Sequence, residues 1–125
     1  MADTGLFLGK WQIGKTIPGA KLLHLKAMVS TPEKRISGQV TVTQATQEPL
    51  NVVIDVYGDY VDYVIGGTTV HIARIDNVDT GRFGAPSLRM LVVFDQNWQN
   101  GTAWFSLAIG SSFTEEADAP VVVEN

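Results

Sequence analysis

The chain has 125 residues, no cysteine, 45% hydrophobic and 18% charged residues, and a net charge of −4. Disulfides and thiolate metal or redox chemistry are thereby excluded, and the apolar content is that of one folded domain with a core of its own. Up to residue 114 acids and bases balance, and Glu115, Glu116, Asp118 and Glu124 supply the whole excess. Without a basic stripe, phosphate-driven nucleic-acid binding is not expected.

Met1-Ala2-Asp3-Thr4-Gly5-Leu6-Phe7 lacks the basic and apolar regions of a secretory leader, and no apolar run reaches the roughly 20 residues of a membrane helix. The expectation is a cytoplasmic protein, or one exported without such a leader.

Apolar residues recur with a period of two along nearly the whole chain, the mark of strands with one face buried. Leu6 to Ile13 reads as a first strand with Phe7, Trp11 and Ile13 on one face. The turn Ile17-Pro18-Gly19-Ala20 leads to Lys21 to Ser30, where Leu23, Leu25, Ala27 and Val29 face one way and His24 and Lys26 the other. Thr31-Pro32-Glu33-Lys34 reads as a hairpin turn. Ile36 to Ala45 sets Ile36, Val40 and Val42 against Ser37, Gln39, Thr41 and Thr43, with Gly38 marking a bulge or a close backbone approach.

After Gln47-Glu48-Pro49, Leu50 to Gly67 is the most strongly patterned stretch. It reads as two strands broken at Gly58-Asp59, with Val52, Ile54 and Val56 on one face and Val61, Tyr63 and Ile65 on the next. Gly66-Gly67 is a hairpin signal before Thr68 to Ile75. The turn-rich stretch Asp76 to Pro86 is long enough to suggest function. Leu88 to Asp95 has few polar residues and reads as buried on both faces. Asn100-Gly101 is the strongest short hairpin signal, ahead of Thr102 to Ile109, where Ala103, Phe105, Leu107 and Ile109 face in and Trp104 faces out. Residues 113–125 read as an acidic, mobile tail outside a domain of residues 1–112, with Val121-Val122-Val123 as a frayed end or an added edge strand.

No helical repeat of useful length is present. About eight strands and short turns predict an all-β fold, an antiparallel β-sandwich or a closed up-and-down β-barrel.

Few residues point to chemistry. Gly9-Lys10-Trp11 is similar to the Gly-x-Trp opening of the lipocalins and avidins, or is a buried tryptophan closing a core. Trp98, Trp104, Tyr57, Tyr60 and Tyr63 are candidates for an exposed aromatic surface, and Trp98 sits among Asn97, Gln99 and Asn100. Aromatic stacking beside amides suits a sugar or a protein ligand, and a ring folded back onto the barrel end is the structural alternative. Asp76, Asn77 and Asp79, with Asp95 beyond, form a candidate metal loop that lacks the calcium-hand pattern; turn bonding by these side chains is the other reading. His24 and His71 are the only histidines and stand in no catalytic motif. Asp55, Asp59 and Asp62 cluster around Gly58, and only Asp55 falls mid-strand. No cofactor is expected.

These segments together resemble a bacterial family known as a domain of unknown function, number eighteen forty-two. The resemblance rests on Thr4-Gly5-Leu6-Phe7, Ile13-Gly14, Pro18-Gly19-Ala20, Ser37 to Ala45, Pro49-Leu50, Gly58-Asp59, His71-Ile72 and Trp98-x-x-Gly101-Thr102-Ala103, and covers about residues 3 to 108. It implies no activity. The section after Gly81 departs from the family's proline-rich loop. The expectation is a non-enzymatic module that binds a carbohydrate or a protein partner, as a homo-oligomer. The alternative is a structural protein that assembles through edge strands or its C-terminal tail.

Overall fold

The structure, a computed structural model, describes residues 5–44 and 50–124. The connection Gln47-Glu48-Pro49 and the opening residues Met1 to Thr4 lie outside them. Eight strands follow one another: β1 (Leu6–Ile13), β2 (Lys21–Ser30), β3 (Arg35–Gln44), β4 (Leu50–Ile65), β5 (Thr68–Asn77), β6 (Ser87–Phe94), β7 (Asn100–Ile109) and β8 (Ser112–Val123). Each pairs antiparallel with its sequence neighbours, and β8 returns to β1 to close the barrel. Between the two architectures open to the sequence, the closed up-and-down barrel is the one that forms.

Alternation explains the fold. One residue in two along each strand points inward, and these are the apolar ones: Leu23, Leu25, Ala27 and Val29 of β2, Val40 and Val42 of β3, and Leu88, Met90, Val92 and Phe94 of β6 are all buried. Among the described residues no polar or charged side chain is buried. Trp11, Phe94 and Phe105 are the largest buried groups, and the ring of Trp11 takes the space a side chain at Gly9 would occupy. The interior is therefore a packed core. Each large apolar side chain taken from water there contributes about 1.5–3 kcal/mol.

Four elements differ from the sequence reading. The stretch from Leu50 does not break at Gly58-Asp59 but runs on as one strand of 16 residues. Val56 to Asp59 is paired on both sides, with β3 and with β5. Gly58 is there because of a close approach: a Cβ on it would collide with the Arg74 carbonyl oxygen of the neighbouring strand. Strand β6 alternates strictly, and Leu91 and Val93 face outward, so it is not buried on both faces. Asn100 and Gly101 belong to β7, and the turn before them is Asp95 to Gln99.

The largest difference concerns residues 113–125. Ser112–Val123 is β8, paired with β7 along its length, and is not a tail outside the domain. Its acids hid the pattern. A register shift opposite Ala103 and Phe105, with Asp118 at φ 56°, resets the alternation so that Ala119 and Val121 point into the core. The seam with β1 is short: Trp11, Gln12 and Ile13 face Val123, Val122 and Val121. Beyond it, Glu116 accepts from the Lys15 amide, and Lys21 Nζ donates to Ser112 and Thr114.

Candidate ligand-binding surfaces

The β6–β7 turn is organised by Asp95, whose carboxylate accepts from the Gln99 amide at 2.8 Å and the Asn100 amide at 3.2 Å. That turn holds Trp98 at φ 61°, in the left-handed region that an aromatic residue seldom adopts. Tertiary contacts hold it there. Its indole stacks on the His71 ring at 4.1 Å with 9° between planes, and meets Phe7, Tyr60 and Phe94 at 4.9–5.5 Å. Its carbonyl accepts from Trp11 Nε1 at 2.7 Å. Trp98 thus folds back onto one end of the barrel. Asn97, Trp98 and Gln99 still line a crevice of about 280 Å³ with Phe7, Leu8, Gly9, Trp11 and Val123, whereas Asn100 stands outside it at the start of β7.

His71 ties this end to the base of the β4–β5 hairpin. Its Nδ1 lies 2.7 Å from Asp62 Oδ1 and its Nε2 lies 3.1 Å from the Gln96 carbonyl oxygen. Both partners are acceptors, so the doubly protonated ring is the form in which both contacts are hydrogen bonds. Lys34 Nζ donates to the other Asp62 oxygen at 2.8 Å. The Lys34 hydrogen bond, and after it that of His71, hold the Asp62 carboxyl below the usual aspartate range against the opposing effect of burial; the same bond raises Lys34.

The sign follows. Asp62 is the group whose pKa is depressed on folding, so its contribution is present above the ordinary aspartate value of about 4 and is lost as pH falls through the lower, folded value. Lys34 is raised, so its part is present below the ordinary lysine value and is lost as pH rises through the folded one. Asp62→Asn is therefore expected to make the acid limb of a urea-stability profile shallower. An acid limb identical to that of the parent would rule the pair out as its source.

The candidate metal loop uses its oxygens locally. Asn77 Oδ1 accepts from the Leu88 amide at 3.1 Å and Asp79 Oδ1 from the Gly81 amide at 2.9 Å. Asp76 Oδ1 faces Arg89 Nε at 3.6 Å. The described residues include no group of three or more histidines and acids placed to hold a metal ion. Asp95, the distant carboxylate of that reading, caps the Trp98 turn instead.

A larger surface lies on the outside of β2–β7 and holds Tyr57 and Trp104 of the candidate exposed aromatics, whereas Tyr60 of that set is buried. The register sets Met28, Ser37, Tyr57, Asp76, Arg89 and Ser106 in one row across the strands, and Ser30, Arg35, Asp59, Arg74, Leu91 and Trp104 in the next. Two clefts, of about 650 and about 580 Å³, adjoin there, and Tyr57 and Asp76 line both. The first reaches Leu6, Glu33 and Arg35. The second runs under the 76–86 loop to Arg82, Arg89 and Trp104, so it includes Asn77 and Asp79 as well. Tyr57 is half exposed, and Trp104 donates to Glu115 at 3.0 Å. Asp76 Oδ1 is beneath the surface without a hydrogen-bond partner, since Arg89 is too far away to donate well. A residue-by-residue reading had no means of finding these rows, because strand register alone brings positions 57, 76, 89 and 104 together.

Among the described residues no helix is long and apolar enough to cross a membrane. A search of curated proteins finds no match to the chain. The sequence profile of a family described as a domain of unknown function (DUF1842) matches residues 4–113. That match takes in β1 to β7 with every residue of both clefts, so the chain belongs to the DUF1842 family.

Proposed function

We propose that this barrel is a non-enzymatic binding module that takes a carbohydrate across the outer clefts joined at Tyr57. One observation carries the reading: two adjoining clefts combine exposed Tyr57 and half-buried Trp104 with arginines, aspartates and an asparagine. Sugars present C–H faces that stack on aromatic rings and hydroxyls that bond to planar polar side chains. Asp76, whose carboxylate is part exposed, and Arg89, extended into solvent, supply an acceptor and a donor beside Tyr57. The packed interior supports the same reading, since side chains fill the space where other small barrels hold ligands. The crevice at Trp98 is smaller, and one face of its indole is covered by His71.

The test is a screen of the full chain against immobilised glycans, followed by titration calorimetry. Tyr57→Ala should weaken binding about tenfold or more, the loss of one central aromatic contact, and leave the melting temperature unchanged because the side chain packs on nothing in the core. Arg89→Ala should act in the same direction. Absence of glycan binding by the parent chain would sink the proposal. So would binding that survives both substitutions and is lost in Gln99→Ala, which would move the site to the Trp98 crevice.

A further inference from the structure

The β4–β5 hairpin projects past its neighbours. Pairing of β3 with β4 ends at Asp59, and Tyr60 makes one more bond, to the Lys34 carbonyl. Pairing of β5 with β6 begins only at His71. Between these limits Val61 to Ile65 pairs with Thr68 to Ile72 and with no other described strand. Val61, Tyr63, Val64 and Ile65 are each more than half exposed. No charged residue occurs from Tyr63 to Val70.

The direction of the free backbone groups is fixed by the bonds already made. The Tyr60 amide points to the β3 side, since it donates to Lys34. Period two sends the N–H and C=O of Asp62 and Val64 to that same open side, and those of Val61, Tyr63 and Ile65 toward β5. We propose that this edge pairs with the same edge of a second copy of this chain, antiparallel and about a two-fold axis at Tyr63. Asp62 then lies opposite Val64 of the second copy, and Val64 opposite Asp62, so the four free N–H and C=O groups of each edge form four hydrogen bonds between copies. Val61 lies opposite Ile65, and the apolar face is continued from one hairpin into the other.

Three observations select a second copy as the occupant. The free edge has the right length: the partner strand stops at Ile65, opposite Val61, one position short of Lys34, which stands opposite Tyr60. The charge permits it, because the tip is uncharged and this register places each Asp62 opposite a valine while its own Lys34 pairs with it at 2.8 Å. A register centred on Asp62 would set carboxylate against carboxylate and would need the Tyr60 amide that Lys34 already holds. A lipid surface fits less well, since the Asp62 and Val64 backbone groups would enter hydrocarbon unbonded. This inference is independent of the carbohydrate reading.

Sedimentation equilibrium of the full chain should give twice the chain mass as concentration rises. Tyr63→Lys, which sets two ammonium groups against each other at the axis, and Val64→Pro, which removes an outward N–H and no β5 bond, should each return the monomer with an unchanged melting curve. The chain has no cysteine of its own. On oxidation Tyr63→Cys should therefore cross-link to itself, because directly opposite residues of a non-bonded pair lie within disulfide reach. Val61→Cys should not cross-link to itself, but should link to Ile65→Cys when the two are mixed. A parent chain that stays monomeric to millimolar concentration overturns the proposal, and flotation of that monomer with phosphatidylcholine vesicles would assign the arm to lipid. A dimer that survives both Tyr63→Lys and Val64→Pro overturns it equally.

Discussion

Removal of the chain beyond Ser112 should abolish cooperative folding. β8 contributes Ala119 and Val121 to the core, both about 0–1% exposed, and it forms the closing ladder to β1. Without it the inward faces of β1 and β7 lose their cover, and Trp11, Ile13, Phe105 and Leu107 meet water. Two unpaired edges would be opened in the same step, each a row of free N–H and C=O groups. At about 1.5–3 kcal/mol for each large side chain uncovered, four such residues amount to about 6–12 kcal/mol, comparable with the ~5–15 kcal/mol by which a domain of this size is stable. Thermal denaturation followed by near-ultraviolet dichroism should show no transition in the truncated chain. A cooperative melt near that of the full chain would mean that seven strands hold the core without closure.

Trp98→Ala should lower stability by about 2–4 kcal/mol, somewhat under the cost of truncating a fully buried aromatic because Trp98 is half buried. The loss comes from contacts with Phe7, Trp11, Tyr60, His71 and Phe94, which the indole joins at one end of the barrel. Part of it should be recovered in Trp98→Gly, because φ 61° strains any side chain there by on the order of 1 kcal/mol. A melting temperature that falls by roughly 10 °C in the alanine variant, and by less in the glycine variant, is the expected pattern. Loss of ligand binding with the melting temperature intact would instead make Trp98 a recognition residue and not the end plug of the barrel.

The period-two pattern made the strands legible because each has a single buried face, and inward residues such as Leu23 to Val29 repeat without interruption. It failed where that pattern was interrupted or ambiguous. Gly58-Asp59 resembles a turn, yet glycine is there to let two backbones approach, a reason visible only once β5 is in place. In β8 the bulge at Asp118 shifts the phase, and Glu115 and Glu116 look like a solvated tail until Lys15 and Trp104 are seen to receive them. For the candidate site, the aromatic loop at Trp98 was visible from composition alone. The rows through Tyr57, Asp76, Arg89 and Trp104 were not, because residues 57 and 104 become neighbours only through three intervening registers.

The alternation that builds the core also divides the chain into two independent alphabets. Inward positions such as 73, 75, 88, 90 and 92 carry the fold, and the positions between them, 74, 76, 89 and 91, form the outer rows. Substitution on the outer rows leaves the inward residues in place, so the outer surface is free to vary while the fold is kept. The same property makes the outer rows a natural place to randomise: a library varied at positions 37, 57, 76, 89 and 106 would explore new ligands on an unaltered scaffold.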